Sequence, residues 1–197
     1  MSAGRGWQAE VERLAQVLSA VSFRDATGLE MAADQGFARW LELGKDLRRR
    51  RGTIYLVGNG ASAAMASHFA ADLAKNAHVH TQVFSDLSLI TAISNDIGYD
   101  QVFALPLQRR AQAGDMLVAI SSSGRSPSVL AAAEVARALA LTVVTLSAMT
   151  ADNPLRTRGG LNAWIAAPSY GLAETGHAAI LHRWMDMMEI RPGEPGP

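Results

Sequence analysis

The chain has 197 residues, 49% of them hydrophobic, with 18 Lys plus Arg against 18 Asp plus Glu. That length fits one domain with some helical extension and a substantial core, and a formal net charge of zero supplies no field to attract nucleic acid or an acidic membrane. Cys is absent, which excludes disulfides and thiolate metal sites and leaves His, carboxylate and amide groups as metal donors.

No apolar run reaches the roughly 20 residues of a spanning helix, and the first 14 residues lack the apolar core of a signal peptide, so the chain reads as cytoplasmic. Val11, Leu14, Val17, Leu18 and Val21 have helical spacing over residues 7–22. A second helix is predicted from about Ala26 to Arg51, carrying Leu29, Met31, Phe37, Trp40, Leu41 and Leu47. Arg48 to Arg51 then read as a cationic last turn closed by Gly52 rather than as a patch for an anionic partner. From Gly52 onward short apolar strands alternate with helices. Strands are predicted at Thr53–Val57, Val79–Phe84, Met116–Ile120, Leu141–Leu146 and Ala163–Ala166. The helices run to about Lys75, after Asp86, from Pro127 to Leu139 and from Leu172 to Ile190. Such strands, apolar throughout, indicate a parallel sheet covered on both faces. The expectation is an α/β doubly wound five-stranded parallel sandwich over 52–190, two N-terminal helices in 1–51, and a disordered tail at 191–197. Trp7, Trp40, Trp164 and Trp184 are read as packing.

In an open sheet of this kind ligands bind beyond the carboxyl ends of the strands, where helix N-termini present free amides. Two turns suit an anion. Gly58-Asn59-Gly60-Ala61-Ser62 follows the first strand, but it lacks both the dinucleotide glycine spacing and the Gly-Lys-Ser/Thr of a P-loop. The second is more specific: Ser121, Ser122, Ser123 and Ser126 surround Gly124 directly after an apolar strand, with Pro127 at the first helical position. Hydroxyls and amides converging without a lysine suit a phosphate monoester; the plainer reading is a serine N-cap. Likewise Phe84-Ser85-Asp86 reads as a possible cap and Asn95-Asp96-Ile97-Gly98-Tyr99 as a possible turn.

Gly58-Asn59-Gly60-x-Ser62, Asn95-Asp96 and Ser121-Ser122-Ser123-Gly124-x-Ser126 together resemble the sugar isomerase (SIS) domain, and more narrowly its phosphoheptose isomerase branch, over about residues 10–190. The resemblance implies a flavodoxin-like five-stranded sheet, N-terminal helices used in assembly, and a homotetramer. It places His68 on a zinc-binding histidine and Asp72 on a glutamate that binds metal and moves a proton; aspartate is one methylene shorter. His68 and Asp72 share one helix face. With a deletion of about three residues after Pro168, Glu174 and His182 fall on the family's glutamine and histidine. Without the gap those places go to His177 and Met185, and the gapped reading is favoured because it keeps the histidine. Eight helical residues rise about 12 Å, so Glu174 must lie at or before the helix start to share an ion with His182.

The resemblance therefore implies an aldose–ketose isomerase acting on sedoheptulose 7-phosphate, or a related long-chain ketose phosphate, through an enediol. Asp72 is the base candidate and His182 the acid candidate, with Zn²⁺ on His68, Asp72, Glu174 and His182. Asn59, Gly60, Ser62, Asn95, Asp96 and Glu174 are expected at the sugar and Ser121, Ser122, Ser123 and Ser126 at the phosphate. His68 and Asp72 are expected from one subunit and Glu174 and His182 from its neighbour. The alternatives are a non-catalytic phosphosugar-binding protein that engages a partner such as a replication initiator, and an isomerase for an eight-carbon sugar.

Overall fold

The computed structural model describes residues 6–190. The predicted tail at 191–197 lies outside them. Helix α1 (Trp7–Ser19) leads into two short strands, β1 (Ser22–Asp25) and β2 (Glu30–Met31), and then helix α2 (Ala33–Arg49). Next come β3 (Thr53–Val57), α3 (Ala61–Asn76), β4 (His80–Val83), α4 (Leu87–Asp96), α5 (Ala104–Arg110) and β5 (Met116–Ser121). The chain closes with α6 (Pro127–Ala138), β6 (Thr142–Ser147), β7 (Leu161–Trp164) and α7 (Tyr170–Met188).

The strands form one sheet in the order β2-β1-β7-β6-β5-β3-β4. The five from β3 to β7 are parallel, as the apolar runs predict, while β1 pairs antiparallel with β7 and β2 with β1. Seven strands thus replace the expected five. Strand β1 forms between the two expected N-terminal helices, and β2 lies where the second of them was expected to begin at about Ala26. Asp25 breaks that helix: its Oδ1 accepts from Thr27 N at 2.8 Å and Leu29 N at 3.1 Å, and Gly28 turns at φ 89°. Phe23 of β1 then buries its ring against Phe37 of α2, centroids 5.1 Å apart, over Gly36, where a Cβ would overlap the ring.

Alternate residues of each central strand feed two cores. Ile54, Leu56, Met116, Val118 and Ile120 face α1, α2, α3 and α7; Tyr55, Val57, Leu117 and Ala119 face α4, α5 and α6. On the first side Trp40 and Trp184 are buried and stacked at 4.2 Å, in keeping with the packing role read from sequence, whereas Trp7 is exposed. The arginine run serves helix ends. Arg48 Nη1 donates to the carbonyls of Ala77 and Met188, Arg49 and Arg50 pair with Asp46, and Arg51 rather than Gly52 takes the left-handed closing position, φ 56°.

The chain order reverses between β3 and β5: β4 lies outward on one side, β6 and β7 on the other. That switch opens a crevice between the two turns singled out above.

Candidate active site

The turn after β3 is shaped by close approach. A Cβ on Gly58 would sit 2.5 Å from that of Ser62, and Gly60 starts α3 at φ 57° and ψ −124°, a combination open to glycine almost alone. In the turn after β5, Gly124 adopts φ 63° and lies against the buried Asn153 side chain. Asn153 Nδ2 donates to Thr150 O at 2.8 Å and to Ser147 Oγ at 3.1 Å, so this buttress is itself fixed.

Ser126 occupies the N-cap position of α6, yet its side chain makes no capping bond. Its hydroxyl instead accepts from Asn59 Nδ2 at 2.7 Å. The same nitrogen donates to Ser128 Oγ at 3.0 Å, and Tyr99 Oη donates to Asn59 Oδ1 at 2.8 Å. Asn59 was expected on the sugar; its amide is engaged by the protein and ties the turn after β3 to the turn after β5. The first-turn amides of α6 are left without a side-chain cap.

Between the turns is a cavity of about 200 Å³ lined by Asn59, Ser62, Ser121, Ser122, Ser123, Ser126, Tyr170 and Glu174. Glu174 is the one charged lining residue, so an anion here would meet hydroxyls and backbone amides. Asn95 and Asp96 are not in the lining. Helix α4 continues through Asp96, both side chains are exposed, and Asn95 Nδ2 donates to Asp96 Oδ1 at 2.8 Å. Asp86 caps that helix, accepting from Leu89 N at 2.9 Å, as its plainer reading expects. Ser128, Asn153 and Tyr170 went unread in the sequence, and Tyr99 was read only as part of a turn. Ser128 lies two residues beyond Ser126 and Asn153 precedes a proline, weak signals without the fold.

The first turns of helices α3 and α7 line the cavity, with Ser62 on one and Tyr170 and Glu174 on the other, and the helices run from it side by side. Two turns along α3, about 9 Å beyond Ser62, His68 Nε2 lies 3.5 Å from Asp72 Oδ2. The His182 ring of α7 stands 5.6 Å from that of His68 and 4.7 Å from that of Phe69, centroid to centroid. One chain therefore brings His68, Asp72 and His182 together, where two subunits were expected to share them. Glu174 is separated from this group: α7 starts at Tyr170, so Glu174 and His182 are both helical and about 12 Å apart along the axis. His68 and Asp72 have the spacing of two ligands on one ion. Among the described residues, however, no three His, Asp or Glu side chains are arranged to hold one.

Residues 11–148 match the SIS domain family. The chain belongs to that family. It is 33% identical over 150 residues to a phosphoheptose isomerase from Geobacter sp. (strain M21), covering 73% of this chain and 78% of that one. It is 38% identical over 144 residues to the phosphoheptose isomerase of Mycobacterium tuberculosis (strain ATCC 25177 / H37Ra), covering 69% and 72%. The structure of phosphoheptose isomerase GmhA from Neisseria gonorrhoeae superposes with a TM-score of 0.79 at 27% identity, over 92% of this chain and 94% of that one.

In this SIS domain the other candidate histidine, His177, is buried in α7, with both ring nitrogens lacking a hydrogen-bond partner. Burial pushes its imidazole down from 6.5 to about 4. Between those values the unfolded chain binds a proton that the folded chain does not. Stability is therefore full above pH 6.5 and is lost as pH falls toward 4, by about 2 kcal/mol at pH 5. Thermal melts should show a lower Tm at pH 5 than at pH 7, and His177→Leu should remove most of the difference. An unchanged pH slope in the variant would assign it to other groups.

Proposed function

We propose that the chain is a phosphoheptose isomerase, interconverting sedoheptulose 7-phosphate, or a closely related long-chain ketose phosphate, with the aldose phosphate. One observation carries the reading: a serine-lined cavity lies at the head of two adjacent helices that carry an acid–base group two to three turns away. A phosphate held at Ser121–Ser123 and Ser126 would let an extended sugar run along α3, its carbonyl end toward Asp72 and His182. Asp72 takes the proton from the carbon beside the carbonyl, giving the enediol, and returns it to the neighbouring carbon; His182 moves the proton on oxygen. The relatives' shared name supports the substrate class.

The proposal includes Zn²⁺, with His68 and Asp72 as the two donors already spaced for one ion and His182 turning to join them; when bound it would polarise the substrate oxygens. No proton transfer above depends on it. The proposal also includes a homo-oligomer, a tetramer, supported by exposed apolar side chains at Trp7 and Val11 on α1 and at Leu87 on α4. No described helix is long and apolar enough to cross a membrane, and the proposed setting is the cytoplasm.

The test is proton exchange at C1 and C2 in deuterated water with sedoheptulose 7-phosphate, with Zn²⁺ supplied. Exchange is expected. Its absence with every heptose and octose phosphate, while binding persists, would replace this reading with the non-catalytic one. Ser123→Ala and Ser126→Ala should each weaken binding by about 1–3 kcal/mol, as for hydrogen bonds to a charged group. The loss should be absent with the unphosphorylated sugar.

A further inference from the structure

The amino end of the sheet carries a second cavity, of about 390 Å³, with different chemistry. Arg39 of α2, Arg137 at the end of α6 and Arg158 before β7 line it together with Leu43, Leu141 and Val143. Strand β6 begins at this cavity with Thr142 and ends beside the serine turn at Ser147, so the two sites lie about 17 Å apart. One small ligand cannot serve both.

No carboxylate is among the lining residues. Glu134 stands behind, its Oε1 2.7 Å from Arg158 Nε and its Oε2 3.8 Å from Arg137 Nη1, so one acid orients two guanidinium groups without neutralising both. Arg39 makes no hydrogen bond or direct ion pair among the described residues, and the nearest acid that feels it, Asp25, stands outside the lining. The chain as a whole is formally neutral, so this concentration of positive charge is local.

Guanidinium groups bind phosphate oxygens in pairs and stack on planar rings. The volume falls within the range of small-molecule sites. The remaining wall mixes the half-buried Leu43 side chain with Thr142, Thr157, Gly159 and Gly160, and three guanidinium groups without a lining carboxylate favour an anion over a bare sugar. We propose that this cavity is a second anion site that takes a nucleoside phosphate, with its phosphates on Arg39, Arg137 and Arg158 and its base against Leu43. The inference goes beyond the isomerase reading and does not depend on it.

Calorimetric titration of the full chain with ADP, with adenosine and with ADP on variants tests it by binding alone, so failure of the isomerase assay leaves the result unaffected. ADP should bind saturably below millimolar concentration, and adenosine should bind at least about tenfold more weakly. Arg39→Ala and Arg158→Ala should each raise the Kd about tenfold or more. Ser126→Ala should leave it unchanged. If Arg158→Ala does not fold, Arg137→Gln, on an exposed side chain, serves in its place. Three outcomes overturn the proposal: no ADP binding up to millimolar concentration, equal binding by the arginine variants, or loss in Ser126→Ala, which would put ADP at the serine turn.

Discussion

Asp72→Asn is expected to lower kcat on the order of 10² or more while changing KM little. The substitution keeps the shape of the side chain and removes its basicity. Asp72 is well placed for the loss to be specific: it is largely buried, with Oδ2 3.5 Å from His68 Nε2 and Oδ1 3.6 Å from Lys75 Nζ. An amide can keep contact with both neighbours, so folding should be undisturbed. The control is Glu174→Gln. Glu174 lines the serine cavity and not the histidine group, so its loss should appear mainly in KM. The reverse pattern, with kcat lost in Glu174→Gln and retained in Asp72→Asn, would move the base to Glu174 and place the reacting carbons inside the cavity.

Gly124→Ala should be the most damaging single change to the serine turn proposed to seat the phosphate. The residue is at φ 63°, where a side chain is strained, and a Cβ would overlap Asn153 Oδ1. Asn153 cannot yield readily, because it is fully buried and its Oδ1 accepts from Arg156 N at 3.1 Å while its Nδ2 holds Thr150 O. Strain and overlap together should cost about 3 kcal/mol. For a chain of this size that is a Tm lower by roughly 6–12 °C. The shift of Ser123 and Ser126 should weaken sugar phosphate binding by on the order of 10²-fold, as for two charge-assisted hydrogen bonds lost together. Gly171→Ala, which has nothing within 4 Å, is the matched control and should leave Tm and KM as they are. Wild-type Tm and KM in Gly124→Ala would mean that Asn153 does not buttress the turn.

The parallel sheet was legible because its strands are covered on both faces, so runs such as Met116–Ile120 are apolar at every position and alternate with helices. The serine turn was legible for a similar reason: four serines around one glycine, directly after such a strand, are a local pattern. Likewise His68 and Asp72 are one helical turn apart, a spacing that periodicity alone puts on one face. The N-terminal segment was misread where a long-range partner decided the outcome. Four residues, Ser22–Asp25, are too few to show alternation, and they become a strand only because β7 offers them an edge.

The active site divides along the same line. That the four serines gather on one turn could be read from the chain, but not that Tyr99 and Ser128 hold Asn59, 40 and 69 residues away in sequence. The packing of α3 against α7 was equally invisible. It places His182 against His68, buries His177 and, because α7 begins at Tyr170, leaves Glu174 at the serine cavity. Local hydrogen bonding and side-chain periodicity act over a few residues and leave a mark in the sequence. Contacts across the sheet are set by how the layers close, and only the folded chain specifies them.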